Sequence, residues 1–243
     1  MSPLTGVLRE AWDLYKAHAA HFLLISFLLY IVASVIAALL TGFAVLTPFA
    51  GFPGNFLAWV VDLFFMFLLQ TALVKAVQDV RDGRADLDLR ATLSAALPCV
   101  APVAAASILA SIAIAIGLVL FIIPGLILLT FWSLIVPSIV IGGSGALESF
   151  GRSWRTVRGY GWNVFGTYVL VFLILVFFQL VLAAMLQALP TALGNFISGV
   201  VAGTLVSPFV ALVVTLVYYR LTAVQAGAPA SGPGPADGGA SVV

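Results

Sequence analysis

Apolar residues run along this chain in long blocks separated by short charged stretches. Between Lys16 and Asp62 there are 45 residues without Asp, Glu, Lys or Arg, between Arg90 and Glu148 there are 57, and between Arg158 and Arg220 there are 61. A helix needs about 20 apolar residues to cross a hydrocarbon core of about 30 Å, so each block has room for about two spans. Unpaired backbone groups are costly in lipid, so the spans are predicted to be helical. Turn residues divide each block. Thr47, Pro48, Gly51, Pro53 and Gly54 separate spans of about 21–46 and 55–78, and Pro124-Gly125 separates about 100–123 from 126–141. Pro190 and Gly194 separate about 162–189 from 195–219. The predicted fold is an all-α polytopic membrane protein, six transmembrane helices arranged as three hairpins over residues 1–224.

Ahead of each hairpin lies a short segment that mixes charges with apolar residues at helical spacing: Leu4 to Ala17, Leu87 to Leu97 and Ala146 to Tyr160. Leu8, Trp12 and Tyr15, then Leu89, Leu93 and Ala96, then Phe150, Trp154 and Val157 form apolar stripes at i, i+4, i+7. Each segment is predicted to be a short interfacial helix, and the threefold recurrence suggests diverged copies of one unit. The first apolar stretch is too long, and its lead too acidic with Glu10 and Asp13, for a cleaved signal peptide. The Gly/Pro/Ala-rich tail, residues 225–243, is predicted to be disordered.

Composition agrees with the pattern, with 63% hydrophobic and 8% charged residues against roughly a quarter charged in soluble domains. A net charge of +1 argues against nucleic acid as a partner. One cysteine, Cys99, and two histidines, His18 and His21, are too few for a zinc site, and no metal or other cofactor is expected. All ten basic residues fall on one side of the six-span arrangement: Arg9, Lys16, Lys75, Arg81, Arg84, Arg90, Arg152, Arg155, Arg158 and Arg220. The positive-inside rule then places both termini in the cytoplasm, and the Ala/Gly/Val-rich composition fits the inner membrane of a high-GC bacterium.

From Ile123 to Phe165 the chain reads IPGLILLTFWSLIVPSIVIGGSGALESFGRSWRTVRGYGWNVF. Pro124-Gly125, Pro137 and the run Leu147, Arg152, Ser153, Trp154, Val157 and Gly159 resemble the glycerophosphoryl diester phosphodiesterase membrane-domain family of bacterial six-helix proteins. In such proteins an acidic residue often ends the fourth helix; Ile141-Gly142-Gly143 stands here. The phosphodiesterase activity of that family belongs to a separate soluble barrel for which these 243 residues leave no room. The resemblance therefore implies a fold and not hydrolysis.

Several candidate sites follow from the residues. Arg152, Arg155 and Arg158, with Ser153 and Trp154, form a possible site for an anionic lipid headgroup, each base contributing about 1 kcal/mol, or they serve only to orient the protein. Asp62 is the one charged residue placed within a span. With Gln70, Gln179, Gln187 and Asn195 it would form an intramembrane polar cluster on a permeation path, or it is a neutral acid hydrogen-bonded near the outer interface. Gly199, Gly203 and Ser207 continue a small-residue ladder from Asn195 that suits close helix packing. Pro137 is expected to kink the fourth span, and Trp132, well inside it, needs a partner for its indole. The inventory lacks a convincing nucleophile and base, so a non-enzymatic role is expected. The leading expectation is a protein that binds or organises membrane lipid in envelope-lipid processing, with membrane lipids, mainly anionic, as partners. A membrane-protein partner or a homo-oligomer stays open. The alternative is a small transporter or channel subunit with a polar path around Asp62.

Overall fold

A computed structural model describes residues 4–46, 51–83, 89–187 and 191–227, and within these the chain is all-α. Six stretches are long and apolar enough to cross a membrane: Ala19–Gly42, Asn55–Arg81, Leu89–Leu120, Ile122–Val140, Gly161–Leu186 and Ile197–Gln225. The turn residues Thr47 and Pro48, the segment 84–88 with Asp86 and Asp88, the turn at Pro190, and the tail from residue 228 lie outside the described residues.

The first helix, α1 (Val7–Ala17), is amphipathic and packs on the bundle through Val7, Ala11 and Tyr15. That face is rotated by about one position from the predicted stripe, leaving Trp12 half exposed. Trp12 stacks on Tyr15, and both meet Phe209 edge-on. Arg220 pairs with Glu10 at 2.5 Å and donates to the Thr5 carbonyl at 2.7 Å, tying α1 to the end of the last span. The first hairpin follows as α2 (Ala19–Leu46) and α3 (Gly51–Arg81), with α9 (Thr191–Gln225) packed against both. Their shared core includes Phe22, Ile25, Leu73, Leu212 and Leu216.

The second hairpin departs from expectation in three ways. Residues 89–97 are not a separate interfacial helix; they continue without interruption into α4 (Leu89–Leu120), which carries Pro98 and Pro102 internally. Of the three expected interfacial helices, only α1 and α7 (Ala146–Val157) stand alone. The reversal sits at Phe121, which is extended, rather than at Pro124-Gly125. Pro124 instead occupies the first turn of α5 (Ile122–Phe131), where its missing N–H has no helical acceptor to lose. Gly125 lets α5 close onto α4, since a Cβ there would lie 2.5 Å from the Leu118 side chain.

The third departure is a break in the fourth span. Helix α5 ends at Phe131, Trp132 to Leu134 form a turn, and a short α6 (Ile135–Val140) completes the crossing. Pro137 accounts for the location. In a continuous helix its ring would press on the Ser133 carbonyl, whereas in the first turn of a new helix it is harmless. So Pro137 restarts a helix rather than kinking one. The last hairpin comprises α8 (Gly161–Leu186) and α9. Only 6% of the α8 span is buried, the lowest share of the six, with Val164 and Val171 its buried residues.

Candidate functional site

A broken helix within a membrane span exposes backbone groups that lipid cannot satisfy. Here α7 supplies the partners. Ser153, 0% exposed, donates from Oγ to the Phe131 carbonyl at 2.7 Å and accepts from the Leu134 N–H at 3.2 Å. One hydroxyl thus bridges both sides of the break, using its single proton and a lone pair. Ser133 Oγ donates to the Thr130 carbonyl at 2.8 Å, covering a third group. Trp154 stacks on Phe131 at 4.2 Å between ring centroids, and Phe150 meets Trp132 edge-on at 4.9 Å.

Arg152 holds the far end of α6. Its Nη1 donates to the Gly142 carbonyl and, at 2.7 Å, to Ser144 Oγ. A side chain at position 142 would meet Ser138 O at 2.5 Å and the Tyr218 hydroxyl at 2.7 Å, as well as Arg152 itself. Gly143 follows at φ +66°, a left-handed conformation that favours glycine. The Gly142-Gly143 pair is the seat of this arginine.

The predicted headgroup site is therefore divided. Arg152 and Ser153 face inward onto the fourth span, and Trp154 lies against Phe131, so none of the three is a free headgroup ligand. Arg155 and Arg158 remain exposed. Gln225 at the end of α9 donates to the carbonyls of Arg155 and Thr156 at 2.9 and 3.1 Å, and the Arg81 guanidinium lies 4.1 Å from the Tyr219 ring centre. With the Arg220 pair, these contacts gather much of the basic charge at one end of the bundle.

Beside this end, a cleft of about 660 Å³ lies between α5 and the start of α8. Ile123, Leu126 and Ile127 form one wall, Trp162 and Phe165 the other, and Thr130, Gly159 and Asn163 contribute its few polar atoms. The lining is open to the side: Ile123, Ile127, Trp162 and Asn163 are all exposed, Trp162 at 85%. Arg158 immediately precedes Gly159 of the lining. Neither Arg155 nor Arg158 lines the cleft itself, and the cleft, formed between two separate stretches of the chain, was not legible in the sequence.

Among the described residues, no predicted glutamine lines the cleft that holds Asp62. Asp62 lines a second cleft of about 460 Å³ between α2, α3 and α9, together with Tyr30, Trp59, Met66 and Gly199. Gln70 is half-buried outside that lining, Gln187 is exposed, and Gln179 donates to Ser198 Oγ at 3.2 Å across α8 and α9. The side chain of Asn195 lies outside the described residues. The small-residue ladder does serve packing within the chain: the Tyr30 ring sits where a Gly203 side chain would be, and its hydroxyl meets Ser207 Oγ at 3.2 Å. Gly199 faces open space at the second cleft.

A family model described as a domain of unknown function, DUF7847, matches residues 89–226, more than half of the chain, and the chain belongs to that family. The matched region contains the broken span, its clamp on α7 and the whole α5–α8 cleft; α1 to α3, with Asp62, lie outside it. No curated protein and no solved structure matches the chain.

Proposed function

We propose that this member of the DUF7847 family binds a membrane lipid sideways, an acyl chain lying in the α5–α8 cleft and an anionic headgroup resting by Arg155 and Arg158. The observation that carries the reading is the side-opening apolar cleft at the basic end of the bundle. Its volume falls within the roughly 300–1,000 Å³ usual for small-ligand sites. Apolar walls suit a chain, while Thr130 and Asn163 suit the ester region at the polar end. The role is one of binding or organising lipid rather than catalysis, in keeping with the membrane-domain family that the Ile123 to Phe165 stretch resembles. In this reading both termini lie in the cytoplasm of a bacterial cell, because the basic end is the cytoplasmic one.

Two surface arginines at about 1 kcal/mol each would contribute about 2 kcal/mol, or roughly thirtyfold in affinity. Native mass spectrometry of detergent-extracted protein tests this. The wild type retains anionic lipid at a fixed stoichiometry, an Arg155→Ala, Arg158→Ala variant loses most of it, and Ile127→Trp, which fills the cleft, loses it with the arginines intact. Equal retention by all three proteins overturns the proposal. Arg152 is left unchanged because it holds α6.

A further inference from the structure

The second cleft, at Asp62, has a different chemistry from the first. It is about 460 Å³, walled by Leu29, Met66 and aromatic rings of Tyr30 and Trp59, with the Asp62 carboxylate its one charged group. Among the described residues no side chain pairs with Asp62. Trp59 stands one helical turn before it, 58% exposed, and the Tyr30 hydroxyl is already engaged with Ser207, leaving the ring to line the cleft. Helix α2 carries no Lys or Arg. The nearest base along α3 is Lys75, about 20 Å away at 1.5 Å per residue, and Arg220 on α9 is farther still from Gly199. A phosphate would therefore find no cationic partner here and would be repelled by the carboxylate. A cation would find a carboxylate, two aromatic side chains of the kind that make cation–π contacts, and apolar walls.

We infer that the Asp62 cleft is a binding site for an amphiphilic organic cation, an ammonium or phosphonium centre on an apolar body that carries no phosphate. The cationic centre sits between Asp62 and Trp59, and the apolar body lies along Leu29 and Met66. This site is independent of the α5–α8 cleft and opens between other helices.

The test is equilibrium binding of radiolabelled tetraphenylphosphonium to the full-length protein in nanodiscs of zwitterionic lipid. Saturable binding with one site per chain is expected. Asp62→Asn, close in size to the native residue, lowers affinity at least tenfold, whereas Asp62→Glu stays within a few fold of wild type. Dodecyltrimethylammonium competes; choline, which lacks the apolar body, and tetraphenylsilane, the same shape without a charge, do not. The Arg155→Ala, Arg158→Ala variant binds as wild type does, so loss of the first site and loss of this one are read separately. Absence of saturable binding, unchanged affinity in Asp62→Asn, or equal competition by the uncharged tetraphenylsilane overturns the inference.

Discussion

Replacing Ser153 by alanine removes one oxygen and unpairs two backbone groups at once. The Leu134 N–H, on a residue with no exposed surface, loses its acceptor, and the Phe131 carbonyl loses its donor. Each buried group left without a partner costs about 1–3 kcal/mol, and the surrounding hydrocarbon offers no water to replace the hydroxyl. The variant should therefore lose about 2–6 kcal/mol. For a chain of this size 1 kcal/mol corresponds to about 2–4 °C in melting temperature, so the apparent Tm in mild detergent should fall by about 4–24 °C. Hydrogen exchange gives the local readout. The Leu134 amide should exchange at least about tenfold faster in Ser153→Ala, while amides in the core of α9 near Val213 keep their protection. A variant that melts within about 2 °C of wild type, with Leu134 still protected, would refute the assignment of Ser153 as the bridge across the broken span.

Gly142→Ala should destabilise the protein by about 1–3 kcal/mol, since a Cβ there collides with Ser138 O, the Tyr218 hydroxyl and the Arg152 guanidinium; thermal unfolding in detergent measures it, and an unchanged Tm would remove Arg152 from its role at the end of α6. Burial raises the Tyr15 phenol above its ordinary 10.0. The folded state therefore holds that proton more tightly than the unfolded one, so the contribution is fully present below about pH 10 and is lost as pH rises through the raised value. Tyr15→Phe, which also lacks the bond to the Leu205 carbonyl at 3.2 Å, should show less alkaline loss of stability than wild type in melts from pH 8 to 11; parallel pH profiles would argue against burial of this ring on α9.

Six spans were legible because charge-free length and turn residues are direct consequences of the bilayer's thickness and its intolerance of unpaired backbone. What the sequence concealed lies where side chains replace backbone partners. Pro137 announced an irregularity but not its place, because a proline is equally at home in the first turn of a helix, and the missing break upstream depends on Ser153, nineteen residues on from Leu134. In α7 the buried face combines Val157 of the predicted apolar stripe with a row of small hydroxyl residues: Ser149, Ser153 and Thr156 recur at i, i+4, i+7 and pack inward, while Trp154 is partly exposed. That recurrence of small hydroxyl residues was a readable signal, since it lets a helix lie close against a span whose backbone needs donors. The segment at 89–97 looked like its counterparts in composition, yet nothing between Leu89 and Pro98 stops a helix, and it ran on into α4. Of the candidate sites, Arg155 and Arg158 keep the exposed position expected of them. None of the glutamines lines the Asp62 cleft, and which residues share a cleft depends on how the helices pack, which spacing along the sequence does not reveal.

The central claim is that lipid occupies the α5–α8 cleft in preference to the rest of the apolar surface. Photocrosslinking in native membranes with a phospholipid carrying a diazirine in its acyl chain, followed by peptide mapping, tests it directly. Adducts concentrated on residues 123–131 and 159–165, and lost in Ile127→Trp, are the predicted result. Adducts spread over α2, α3, α4 and the remainder of α8 in proportion to their exposed surface would contradict it.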